Sequence, residues 1–246
     1  MQGGPLRQSR LIVVGGSSAS GHGIGRGCSY GSMTAEQLGF VPNETIREGI
    51  RMPHMREFVA VAKPRSGDVL VLHPGLFDTK GLMPRRWYSA VKAAQRGRGR
   101  LDAWEVDRRL SSRLNRRLAR EVETRLMRVA RLTGRVRSST PLGEFEECVV
   151  AIEESLSTFS GLVLCVVPDR FSLIFDSAVP DLEPYRRTIL ALLVDRRQGR
   201  GLPVAAIDLA RELDDGDYQP DNFHPNESGH AKLASRCTQV IQENRT

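Results

Sequence analysis

The chain has 246 residues, 40% apolar and 26% charged, with a formal net charge of +7. That apolar content can fill one core without division into domains, so a single domain over 1–246 is expected. The first apolar run follows the polar, glycine-rich Met1 to Arg10 and is too short for a signal sequence or a membrane span. Export and membrane insertion are therefore not expected, and a cytoplasmic location is.

Leu11-Ile12-Val13-Val14 ends in Gly15-Gly16 and reads as a buried strand near 10–15 that stops at a tight turn. Ser17 and Ser18 then stand at its carboxyl end, the rim where open α/β sheets bind ligands. The glycine-rich run from Gly15 to Gly27 lacks the Gly-Lys-Ser/Thr of a phosphate cradle. A helix over 30–38, a strand near 40–45, a helix over 52–62 and a strand near 68–73 follow. His22 and His54 fall in loop or surface positions, and His73 closes the third strand just before Pro74.

The next connection is long and basic, with helices expected at 84–95 and 102–133. From Arg96 to Arg137 it holds fourteen arginines against five acidic residues, a net +9 beside +7 for the whole chain. Leu110, Leu114, Leu118, Val122, Leu126, Val129 and Leu132 recur at steps of four and three. They form one apolar stripe on a helix that Gly134 stops, with arginines over the other faces. Two readings stand. The stripe packs on the domain or on a second copy, giving a homodimer; or the positive face receives an anionic partner such as an acyl carrier protein, coenzyme A or RNA, tRNA included. Trp104 is nearly alone as an aromatic there, which favours phosphate or carboxylate over stacked bases.

Helices are expected at 144–158, 182–198 and 227–242, and strands near 161–167 and 203–208. Gly161 to Val167 is apolar throughout, as a strand covered on both faces should be. Such alternation predicts a parallel sheet between helical layers. In the last helix Leu233, Cys237, Val240 and Ile241 keep helical spacing and would pack on the sheet. Asp169, Asp176 and Asp208 follow strands, which alone gives them no catalytic role. The four cysteines, Cys28, Cys148, Cys165 and Cys237, lack metal-type spacing and read as reduced structural thiols. No cofactor is expected.

Just before the last helix stands Asp221-Asn222-Phe223-His224-Pro225. The two lie three positions apart, so the Asp221 carboxylate can reach one imidazole nitrogen of His224 and leave the other to take a proton from a serine hydroxyl. Asp221, His224 and His230 have no metal-site spacing, and no metal is expected.

These residues resemble the SGNH (GDSL-type) hydrolases. Gly15 to Gly21 is similar to the family's first block, and Asp221 to Pro225 with Gly229-His230 to its last. Gly49 sits where the second block places an oxyanion glycine. The third block, Gly-x-Asn-Asp, is half present as Gly75-Leu76-Phe77-Asp78, with Phe77 in place of the Asn. The resemblance spans about 10–80 and 160–242. It implies a three-layer α/β/α fold with a five-stranded parallel sheet in flavodoxin-like order, with the basic helical insertion at about 84–140 between strands 3 and 4.

The resemblance also implies a mechanism for a small acyl ester or thioester. Ser17 attacks the carbonyl, His224 takes its proton, Asp221 orients the imidazole, and the backbone amides of Ser17 and Gly49 hold the oxyanion. Phe77 removes a side-chain donor, typically about 2.7–4 kcal/mol of transition-state stabilisation. His73, Gly75 and Phe77 are the residues at hand for substrate or oxyanion contacts. Hydrolysis of the acyl-enzyme and transfer of its acyl group from a carrier (acyl carrier protein, coenzyme A or aminoacyl-tRNA) to an alcohol or amine share this chemistry. A non-catalytic binding protein that uses the basic helix for an anionic partner is the contrasting expectation.

Overall fold

In a computed structural model of the chain, the described residues are 9–21, 23–25, 27–46, 51–74, 78, 81–82, 87, 125–126, 128–130, 132–133, 137–168, 182–219 and 224–244. The apolar runs form the strands β1 (Arg10–Gly15), β2 (Val41–Ile46) and β3 (Val69–His73). A short pair, β4 (Gly81–Leu82) and β5 (Arg137–Ser138), comes next, then β6 (Leu162–Val167) and β7 (Val204–Asp208). The main sheet runs β2-β1-β3-β6-β7 with every pairing parallel. Counted along the chain, its five strands lie in the order 2-1-3-4-5, which is the flavodoxin-like order.

Burial on both faces explains why β6 is apolar end to end and β3 apolar up to His73. One face, with Ile12, Val14, Leu70, Leu72 and Val163, packs on α2 (Met52–Ala62), α3 (Leu142–Ser155) and α4 (Glu183–Ile189). The opposite face, with Leu11, Val13, Val69, Val71 and Leu164, packs on α1 (Tyr30–Leu38) and α7 (Glu227–Glu243). The result is the expected three layers. Among the described residues, no helix is long and apolar enough to cross a membrane.

Local chemistry sets the helix ends. The Ser29 hydroxyl caps α1 by accepting from the Ser32 N–H, and Gly39 in the left-handed region ends it. Asn226 caps α7 by accepting from the Gly229 N–H at 3.0 Å. The cap of α2 is tertiary: both Asp78 oxygens lie 3.0 Å from the Met52 N–H.

Three features depart from the sequence reading. First, α4 continues through a π-helical stretch, Leu190–Asp195, into α5 (Arg196–Gly199), where an unbroken helix was expected. Second, α6 (Leu209–Glu212) and the antiparallel β4–β5 pair are additions. Third, at the described end of the apolar stripe Leu126 is half-buried, Val129 47% and Leu132 83% exposed, while Ala130, outside the stripe, is fully buried. One helical step turns the face by about 100°, which is the offset between the stripe and the packed position. The helix expected at 84–95 and the part of 102–133 before residue 125 lie outside the described residues, apart from Trp87.

Candidate active site

The sheet order changes direction between β1 and β3, since β2 lies on one side of β1 and β3 on the other. A crevice at the carboxyl ends of the strands is expected at such a reversal, and Ser17 lies there, two residues past Gly15. Gly15 pairs with His73, and a Cβ on it would come within 3.0 Å of the His73 carbonyl oxygen. The glycine therefore serves strand packing. A compact turn follows: the Ala19 N–H donates to the Gly16 carbonyl, and both the Ser20 N–H and hydroxyl donate to that of Ser17. Ser17 is only 7% exposed, so its hydroxyl is held in place.

His224 comes to it from the far end of the chain. Tyr218 and Pro225 form an isolated antiparallel bridge, and the Gln219 N–H donates to the His224 carbonyl at 2.8 Å. Asn226 adds bonds from its side-chain amide to the Gly216 and Tyr218 carbonyls. Burial pushes the Asp217 carboxyl up, yet Lys232 Nζ at 2.6 Å and Ser228 Oγ at 2.9 Å hold it below the ordinary carboxylate range. That clasp delivers His224 Nε2 to 2.9 Å from Ser17 Oγ.

Behind this pair lies a buried aromatic cluster. The Tyr30 hydroxyl is 3.1 Å from His73 Nδ1, and the Tyr30 N–H donates to His230 Nδ1 at 3.1 Å. The Tyr30 and His230 rings stack at 5.9 Å. Burial, reinforced by His230, lowers His73 to about 3; burial, reinforced by His224, lowers His230 to about 4. Both rings are neutral at pH 7, so neither adds a positive charge beside His224. Since His230 Nδ1 accepts, its proton sits on Nε2, which is buried without a hydrogen-bond partner.

Asp78, the last residue of the half-present third block, is 1% exposed. Burial raises its carboxyl to about 6, against the lowering effect of the Thr140 side chain, the Met52 N–H and Arg51. Its own carbonyl accepts from the Thr140 N–H. It thus ties the chain beyond β3 to the start of α2 and to the segment before α3.

Of the residues singled out in the sequence, Ser17 and His224 are in hydrogen-bond contact. His73 is buried against Tyr30, on the face of the sheet covered by α1 and α7. Asp221, Gly49, Gly75, Phe77, Asp169, Asp176 and His22 lie outside the described residues. Asp208 pairs with Arg186 through two contacts of 2.9 Å and caps α6, a structural role. His54 Nδ1 accepts from the Arg51 N–H. Among the described residues, no group of three His, Cys, Asp or Glu could hold a metal. Sequence reasoning passed over Gln219 and named Asp78 only as part of the third block, because the residues they meet, Gly23 and Met52, lie in distant segments with no periodic signal.

Chemically, a hydroxyl and an imidazole nitrogen at this distance can exchange a proton, which makes the oxygen a nucleophile. No protein-family model matches the chain, and no curated protein does. Solved structures do. The crystal structure of TesA superposes with a TM-score of 0.54 at 10% identity, covering 96% of this chain and 99% of that one. The lipase/acylhydrolase from Enterococcus faecalis gives 0.55 at 11% identity, covering 96% of each chain. The psychrotrophic esterase EstA from Pseudoalteromonas, in a structure inhibited by monoethylphosphonate, gives 0.52 at 6% identity, covering 96% and 97%. At these identities the likeness is one of fold.

Proposed function

From the SGNH hydrolase fold of this chain, we propose a serine-dependent acyl ester hydrolase that works through an acyl-enzyme. The 2.9 Å contact between Ser17 Oγ and His224 Nε2 carries this reading. Nε2 takes the hydroxyl proton as Oγ attacks the acyl carbonyl, and the backbone amides of Ser17 and Gly49 donate to the oxyanion. Asp221 holds the other imidazole nitrogen. The imidazolium gives its proton to the departing alcohol or thiol, and water attacks the acyl-enzyme by the same route in reverse.

The neutral state of His73 and His230 supports this role for His224. Two neutral rings place no second positive charge beside the imidazolium that forms during attack. The test is nitrophenol release from a short activated ester. Turnover by the wild type that falls about a thousandfold or more in both Ser17→Ala and His224→Ala supports the reading. Equal turnover in the variants refutes it.

An acyltransferase of the same fold is the second reading, favoured by one observation. Arg125 and Arg128 are exposed beside the exposed Val129 and Leu132, a basic and partly apolar surface suited to an anionic acyl carrier. Under this reading, added alcohol or amine acceptor diverts the acyl group from free acid to acceptor. Under the first reading, free acid stays the product.

A further inference from the structure

We propose that Gln219 is a positioning residue that sets the distance between the turn after Ser17 and the loop that carries His224. The inference rests on the acyl-transfer reading of Ser17 and His224 and deepens it. Gln219 grips both ends of its own loop. Its N–H donates to the His224 carbonyl at 2.8 Å, and its side-chain Nε2 donates to the Pro225 carbonyl at 3.2 Å. Backbone and side chain of this one residue thereby hold both His224 and Pro225.

The same amide fills the space beside Gly23 in the opposite loop. A Cβ on Gly23 would stand 2.7 Å from Gln219 Oε1, 3.2 Å from Nε2 and 3.3 Å from the amide carbon. Gly23 has φ +81°, a left-handed conformation that glycine adopts freely. Its turn is locked to the nucleophile by short bonds in series: Ser20 N–H to the Ser17 carbonyl, then Ile24 N–H to the Gly21 carbonyl. Gln219 is therefore a strut with one end on the Ser17 turn and two bonds on the His224 loop. The hydroxyl and imidazole come from residues 207 positions apart, so their separation depends on struts of this kind. Reacting groups moved by about 1 Å typically cost a hundredfold in rate.

The experiment compares Gln219→Ala, Gly23→Ala and the double variant with the wild type. Gln219→Ala is expected to lower kcat by about 10- to 100-fold with KM within about twofold, because alignment of the reacting groups is lost and substrate contacts are kept. Gly23→Ala drives a methyl into the amide and lowers kcat as well. The double variant removes the clash with the amide while the backbone strain of a side chain at φ +81° remains, so it is expected to recover the clash component alone and to exceed the product of the two single effects by that amount. The 15N shifts of the His224 ring report its bond to Ser17 without turnover. In Gln219→Ala they move toward those of a free imidazole while Tm stays within a few degrees. Unchanged kcat and unchanged shifts in Gln219→Ala overturn the proposal, and so do effects that simply multiply. A wild type that cleaves no ester defeats the hydrolase reading and leaves the His224 shifts to decide this one.

Discussion

His73 and His230 stay neutral until about pH 3 and about pH 4, whereas an unfolded chain protonates histidine near 6.5. Between those values the unfolded state binds more protons, so stability falls as pH drops from 6.5 toward 4. Each ring contributes a slope of about 1.4 kcal/mol per pH unit in that window. Asp78 opposes them. Its folded carboxyl holds a proton up to about 6 while the unfolded one releases it near 3.8, which favours folding as pH falls and offsets one histidine. Urea unfolding across pH 4 to 6 should show the net slope of about 1.4 kcal/mol per unit roughly doubling in Asp78→Asn, which still accepts from the Met52 N–H. An unaltered slope would remove Asp78 from the account. At this scale Ser17 and His224 were legible because each sits in a local pattern of glycine, proline and acid. Tyr30, Asp78 and Gln219 were not, since what they do depends on partners brought together only by the folded sheet.

Strand and helix positions were legible for a related reason, since periodicity and caps are local. Ser29, Gly39 and Asn226 mark helix ends by their own chemistry, and the apolar strands β3 and β6 announce two-sided burial. The π-helical stretch Leu190–Asp195 has no such mark. It leads into α5, whose second residue, Arg197, is fully buried and donates to the Leu156 carbonyl at 2.8 Å and the Phe159 carbonyl at 2.9 Å. An added residue in a turn rotates the downstream helix by about 100°, and here the rotated residue is a cation that staples the end of α3 to the start of β6. Arg197→Ala strands two buried carbonyls and should cost about 3 kcal/mol in urea unfolding. A loss below about 1 kcal/mol would mean that the staple is dispensable.

At the largest scale, the molecule is a five-stranded sheet with the Ser17 hydroxyl and the His224 imidazole meeting near its point of reversal, and the basic stretch 83–136 of the sequence runs between Leu82 and Arg137. Those two residues are cross-strand partners in the β4–β5 pair, so a two-residue Asn-Gly turn can close the ladder. A variant with residues 83–136 replaced by that turn is expected to keep cooperative unfolding and turnover of a small activated ester, while losing any preference for an anionic carrier. Loss of the fold would instead make the insertion part of the core. The sequence pointed to the sheet order only through the family resemblance, because strand neighbours are not written in spacing; the apolar stripe from Leu110 to Leu132 has a helical period whether or not anything covers it. The central claim is that Ser17 is a nucleophile activated by His224. It is tested most directly by treating the folded protein with a fluorophosphonate probe and mapping the modified peptide by mass. The expected result is a single adduct on Ser17 that is strongly reduced in His224→Ala. A folded protein that takes no label, or takes it on another residue, would contradict the claim.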